Sequence, residues 1–382
     1  MAYNIYTPGT GKFSINNPVI FLALEDTNRA ANADYKYICD VYIGTLQARL
    51  KAVPDPITGQ GIFDIGPIIR SYVTTTAKLT AGIVANTFSN YVEVQCKFGQ
   101  EYGVITEYNT VTDSARKFYN YYQAWPNVNA DVLSALNNQF LTDRPTTITI
   151  DPAKIGLLLP FYRTTGSNFD VLVSAYNSAG LLATTTITVA NTSADEVKIF
   201  DVSRQNLFNV SGICGQTDLE YYTVSVSGAT SYRVNLECQK KYDTYPVVFM
   251  NKWGAYESHY FTKAHGKTIE IERKEYQKQG YQVGASGQVS YSANNVINQH
   301  RNIYAQSVKQ RWQLKSDLLT DAEWQWLGQL ASSVETYLLI NGVLVPVIIS
   351  NTNYSYNYYQ KDSLTQMVLD VEFSAPYNTQ FR

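Results

Sequence analysis

Val92-Glu93-Val94-Gln95-Cys96-Lys97-Phe98 places an apolar side chain on every second position and a polar one between. Successive side chains of a strand point to opposite faces, so this period describes a strand with one buried and one wet face. The same alternation returns in Phe169 to Ala175, in Tyr232 to Cys238, in Thr268 to Arg273 and in Met367 to Phe373. Turn signals separate such runs: Ser178-Ala179-Gly180, Ser227-Gly228 and Asn341-Gly342, the last flanked by apolar residues and reading as a two-residue hairpin turn. The chain is therefore expected to be mainly β, a multi-domain protein of sandwiches or barrels.

Helix signals are scarce. Thr320-Asp321-Ala322-Glu323 pairs an N-cap residue with Glu three positions on, and Trp324, Leu327, Leu330, Ala331 and Val334 follow at helical spacing. This predicts a short C-terminal helix over about 320–334, packed on the hairpin formed by Tyr337 to Ile349. A second short helix is expected from about Asp131 to Gln139. Four blocks result: an N-terminal β domain (1–115), a connector with a short helix (116–144), a sandwich-like insert (145–206) and a C-terminal β domain (207–382).

Composition narrows the function classes. The 382 residues carry a formal charge of −2, which argues against a protein that works by neutralising nucleic acid or an acidic membrane. No apolar run approaches the ~18 residues of a membrane helix, and Met1 to Tyr6 lacks the charged and apolar regions of an export signal. One segment is unlike the rest. From Lys263 to Lys315 there are nine basic and three acidic residues, a net +6 that leaves the remaining chain at −8. Such a split suits a charge-complementary interface between copies, or equally a solvated face.

Residues equipped for chemistry are few: three histidines and four cysteines stand against 31 tyrosines. Cys39, Cys96, Cys214 and Cys238 show no C-x-x-C pairing, and free buried thiols are the expectation, with a Cys214–Cys238 disulfide the minor alternative. His259 and His265 lie six apart, a spacing outside the recognised zinc patterns, and read as surface histidines. No nucleophile elbow and no phosphate-binding glycine loop is present. A glycosidase needs only two carboxylates, and Glu257, beside Trp253 and Tyr256, is the single acidic residue in an aromatic setting. No enzyme activity, cofactor or metal is expected.

Three stretches, taken together, carry a resemblance. The first runs from Tyr37-Ile38-Cys39-Asp40-Val41-Tyr42-Ile43 through Ala48 to Pro56 and then Gly61-Ile62-Phe63-Asp64-Ile65-Gly66-Pro67 to Val73. The second is Phe249-Met250-Asn251-Lys252-Trp253-Gly254-Ala255-Tyr256 to Phe261, running into Glu272 to Tyr276. The third is Leu319 to Leu330 with Ser332-Ser333 and the hairpin through Ile349. In this order they resemble tail and baseplate structural proteins, of the distal-tail adaptor or ring type, from tailed bacteriophages that infect Bacteroidetes. The resemblance implies a virion component assembled in the host cytoplasm, partnered by copies of itself and by other tail proteins.

The tyrosines cluster within that frame. Large, stiff, amphipathic rings favour interfaces, so the expected contact residues are Tyr119, Tyr121 and Trp125, then Trp253, Tyr256 and Tyr260, then Tyr354, Tyr356 and Tyr358. Trp253-Gly254 sets a large ring beside a residue without a side chain, where another backbone can pack close. The leading expectation is a non-enzymatic oligomeric ring or adaptor of a phage tail, neck or baseplate. The alternative is a carbohydrate- or receptor-binding sandwich of the tail tip, with a host-surface glycan as partner; direct nucleic-acid binding is not expected.

Overall fold

The computed structural model describes residues 4–7, 11–25, 27–73, 75, 77, 79, 85–122, 131–191, 193–237, 241–293, 296–351 and 365–375. Strands dominate, helices are short, and among the described residues the larger sheets are open rather than closed into barrels. The founding stretch behaves as its period requires. It lies in Tyr91–Tyr102, and Val92, Val94, Cys96 and Phe98 are buried against Cys39, Val41, Phe21 and Phe63 in the N-terminal core. Lys36–Ile43 and Thr45–Ala52 extend this sheet on one side, and Arg116–Tyr119 on the other.

The middle of the chain is a two-layer sandwich. Its five-stranded sheet runs in the order Thr147–Ile150, Tyr232–Leu236, Tyr221–Val226, Phe169–Asn177, Gly180–Val189. The sandwich thus reaches beyond the expected boundary at 206: after the helix Arg204–Ser211 the chain returns to add two more strands. The facing layer contains Leu158–Arg163 and Glu196–Asp201. Leu158–Arg163 is apolar without alternation because it is buried on both sides. Leu159 and Phe161 join Val171, Val173, Tyr222 and Val224, whereas Leu158 and Tyr162 turn toward a separate cluster.

The C-terminal sheet has seven strands, in the order Tyr256–Phe261, Tyr245–Met250, Thr336–Ile340, Val343–Ile349, Thr365–Phe373, Arg301–Leu319, Gly266–Gln277. The helix Asp321–Ala331 covers one face, seating Trp326, Leu327 and Leu330 on Phe249, Leu314, Leu338, Val347 and Leu369. Its capping box is complete: the Thr320 side chain accepts from the Glu323 N–H, and the Glu323 carboxylate accepts from the Thr320 N–H at 2.8 Å. The Asn341-Gly342 turn has positive φ at both positions (50° and 80°), the requirement of a tight hairpin whose twist matches its strands. The expected connector helix is short, Val132–Ala135, capped by Asp131.

Cys39, Cys96 and Cys214 are free and buried; Cys238, and with it the pairing with Cys214, lies outside the described residues.

Candidate interaction surfaces

The five expected aromatic contact residues that lie among the described residues face inward, which corrects the sequence reading for them. Tyr119, Tyr121, Tyr256, Tyr260 and Trp253 are all buried. Tyr119, Tyr121, Trp253 and Tyr256 meet in one cluster with Leu158, Tyr162, Val197 and Val248, so residues from the connector, sandwich and C-terminal sheet share a single core. Tyr121 donates to the Lys12 carbonyl at 2.9 Å, Tyr256 donates to the Glu335 carboxylate, and Tyr260 donates to the Ile155 carbonyl at 3.3 Å. Burial pushes these phenols well above their ordinary range, so they stay neutral donors. The rings do bind neighbours, but the neighbours belong to the same chain. Trp125, Tyr354, Tyr356 and Tyr358 lie outside the described residues.

The clasp around Gly254 is the tightest part of that core. Residues 251–255 turn the hairpin between Tyr245–Met250 and Tyr256–Phe261, with Gly254 at φ +65°. The Tyr122 N–H donates to the Lys252 carbonyl at 2.6 Å, and Asn90 Nδ2 donates to the Trp253 carbonyl at 3.3 Å. A β-carbon on Gly254 would stand 1.5 Å from the Asn120 carbonyl oxygen, so another backbone does pack where only glycine fits.

Two surfaces open outward. The first is an arm. Arg301–Leu319 pairs with Thr365–Phe373 only through Arg311 to Leu319, while Gly266–Gln277 pairs with it from Gln313 out to Arg301. From Gln310 outward the two strands are therefore a bare ribbon, extended further by the short pairs Gln282–Val283 with Val289–Ser290 and Ser292–Ala293 with Val296–Ile297. The alternation over Thr268 to Arg273 predicts one buried face; instead both faces are largely open, because no second layer covers them among the described residues. Ile271, Tyr276, Tyr291, Ile297 and Tyr304 are exposed there, Ile297 at 78 %. Five of the nine basic residues of the segment, Arg273, Lys274, Lys278, Arg301 and Lys309, lie on this arm with its three glutamates, and the other four lie where it joins the sheet. Arg311 pairs with Glu270 and Glu372 (both 3.0 Å), but Arg273, Lys274 and Lys278 have no ion pair among the described residues.

The second is a cleft of about 410 Å³ where the sandwich's edge strand Thr147–Ile150 meets the C-terminal sheet's edge strand Tyr256–Phe261. Its wall includes Arg144, Ile148, His259, Thr262, Leu319 and Trp326, with Glu237, Asp317 and Glu323 also on the lining. Period two puts Glu257, His259 and Phe261 on one side of their strand, toward the helix that carries Trp326. Arg144 enters from the loop before Pro145. Its guanidinium lies 4.4 Å over the Trp326 ring and has neither hydrogen bond nor ion pair among the described residues, although Arg144 is only 6 % exposed.

His259 corrects the expectation of a surface histidine. It packs edge-on against Phe261 and Trp326, its Nε2 has no hydrogen-bond partner among the described residues, and burial together with the nearby Arg144 charge holds its pKa down to about 3. Glu257 is fully buried behind the cleft. It accepts from the Thr142 hydroxyl at 2.6 Å, and burial raises its pKa despite Arg144. The Trp326 N–H lies near this carboxylate, outside hydrogen-bond geometry, and partly offsets that rise. Arg144, Thr262 and Trp326 were missed as site residues. The available signal was Glu257-Ser258-His259, which puts two titratable groups on one side of a strand rich in aromatics.

Among the described residues no helix is long and apolar enough to cross a membrane. No family model matches the chain, and no curated protein matches it at a significant level.

Proposed function

We propose that this chain is a non-enzymatic structural protein that assembles with further copies of itself, as an oligomeric ring or adaptor in a phage tail, neck or baseplate. The observation that carries the reading is the arm. A two-stranded ribbon is marginally stable alone in water, and this one carries exposed isoleucines, valines and tyrosines beyond the sheet's edge. Among the described residues its outer strand, Gly266–Gln277, is the last of the sheet and offers an unpaired backbone edge to a further strand.

Charge selects the occupant. The segment from Lys263 to Lys315 is net +6 and the remainder of the chain −8, so a second copy supplies the complementary surface. The resemblance of three separate stretches to tail and baseplate proteins supplies the virion setting, and other tail proteins are the further partners. Mass photometry and negative-stain microscopy of the full chain, beside a variant in which residues 279–299 are replaced by a two-residue turn, test the reading. Defined oligomers that the shortened variant fails to form are expected; a full-length chain that stays monomeric at micromolar concentration overturns it.

A further inference from the structure

A guanidinium is costly to bury and is ordinarily paired or hydrogen-bonded when taken from water. The Arg144 guanidinium is buried, has no hydrogen bond or ion pair among the described residues, and lines a cleft, its charge offset only at longer range by the buried Glu257. Three further cleft residues carry buried polar atoms without hydrogen-bond partners among the described residues, His259 at Nε2, Thr262 at Oγ1 and Trp326 at Nε1. Such groups in a cleft of about 410 Å³, at a junction of two sheets, have the size and setting of a small-molecule site.

The mixture of charges restricts the ligand. One cation at the wall suits one anionic group, and a planar carboxylate matches the donor fork of arginine. Glu237, Asp317 and Glu323 on the same lining disfavour a polyanion and can accept from hydroxyls. Ile148, Leu319 and the Trp326 ring offer an apolar wall for the carbon skeleton. We infer that the cleft binds a hydroxylated monocarboxylate, a uronic acid being the simplest of that class, with its carboxylate on Arg144 and its hydroxyls toward His259 and Thr262. This binding is independent of assembly through the arm, which lies on the opposite edge of the seven-stranded sheet.

Isothermal titration of the full chain with sodium glucuronate, glucose, acetate and inorganic phosphate tests the assignment. Glucuronate is expected to bind saturably, acetate and phosphate to bind more weakly, and glucose to give no detectable heat. Arg144→Gln should weaken glucuronate about tenfold or more, as loss of a charge-assisted hydrogen bond does, and Thr262→Val should weaken it several-fold. Circular dichroism of both variants should match the wild type. No binding of glucuronate, phosphate or acetate binding as tightly as glucuronate, or unchanged affinity in both variants each overturns the assignment. Should Arg144→Gln fail to fold, Thr262→Val decides: weakened glucuronate binding supports the site, and unchanged binding overturns it.

Discussion

The α-carbon of Gly254 faces the carbonyl oxygen of Asn120 so closely that a methyl group between them would lie 1.5 Å from that oxygen. The oxygen is backbone, fixed by neighbours on both sides, and cannot swing away as a side chain would. Gly254 also sits at φ +65°, where a β-carbon adds strain of its own. Gly254→Ala is therefore expected to cost more than about 3 kcal/mol of stability. Urea unfolding would show this as a large fall in midpoint; a midpoint near that of the wild type would refute the contact.

The arm predicts an uncoupling of folding from assembly. Ile297→Asp with Tyr304→Asp changes two exposed side chains, so the monomer's stability should move by no more than about 0.5 kcal/mol. Self-association should weaken at least about tenfold and respond less steeply to salt, because the added carboxylates offset Arg273, Lys274 and Lys278. Sedimentation velocity over a concentration series measures both. Unaltered association in the double variant would place the interface elsewhere.

Asp201 gives a pH signature. It is fully buried, and burial raises its pKa to about 6 from an ordinary 3.8, even though its carboxylate accepts from the Gly156 and Ser203 N–H groups at 3.3 and 3.1 Å. A raised acid contributes most below the unfolded value, and that contribution is lost as pH climbs toward the folded one. Between about pH 4 and 6 the wild type should lose up to roughly 1.4 kcal/mol per pH unit at this site. Asp201→Asn lacks that slope, so its stability relative to wild type should rise across the window. Denaturation at pH 4.5, 5.5 and 7 would reveal it, and parallel profiles would not fit.

The capping box at Thr320 has a conventional magnitude. Thr320→Ala removes the acceptor for the Glu323 N–H and should cost about 1 kcal/mol, largely restored by serine. Equal midpoints for the alanine and serine variants would show that packing of Trp326 and Leu330, rather than the cap, holds the helix.

What could be read from residue order was what local geometry dictates. Alternation gave Tyr91–Tyr102 its buried face, Asn341-Gly342 its positive φ pair and Thr320 to Glu323 the helix start. The misreadings share a cause: residues that meet through distant segments. Tyr121 and Trp253 have the same chemistry whether the facing ring belongs to another molecule or to the same one, and their contact closes a loop of more than a hundred residues. Thr268 to Arg273 alternates like a half-buried strand, yet nothing in that pattern reports whether a second layer arrives to cover it. Arg144 was hidden similarly, because its surroundings come from a strand and a helix far along the chain.

Arg301–Leu319 runs as one strand of 19 residues, about 60 Å at the usual rise, from the arm into the interior of the seven-stranded sheet. Gly266–Gln277 holds its outer part as far in as Gln313 and Thr365–Phe373 its inner part from Arg311, so the two pairings overlap over Arg311 to Gln313. A pull along the arm therefore enters the body of the protein lengthwise, where many ladder bonds share the load together instead of opening one after another. Mechanically the arm is the free end of a tie rod, and force applied at its tip is borne by the sheet rather than by a hinge.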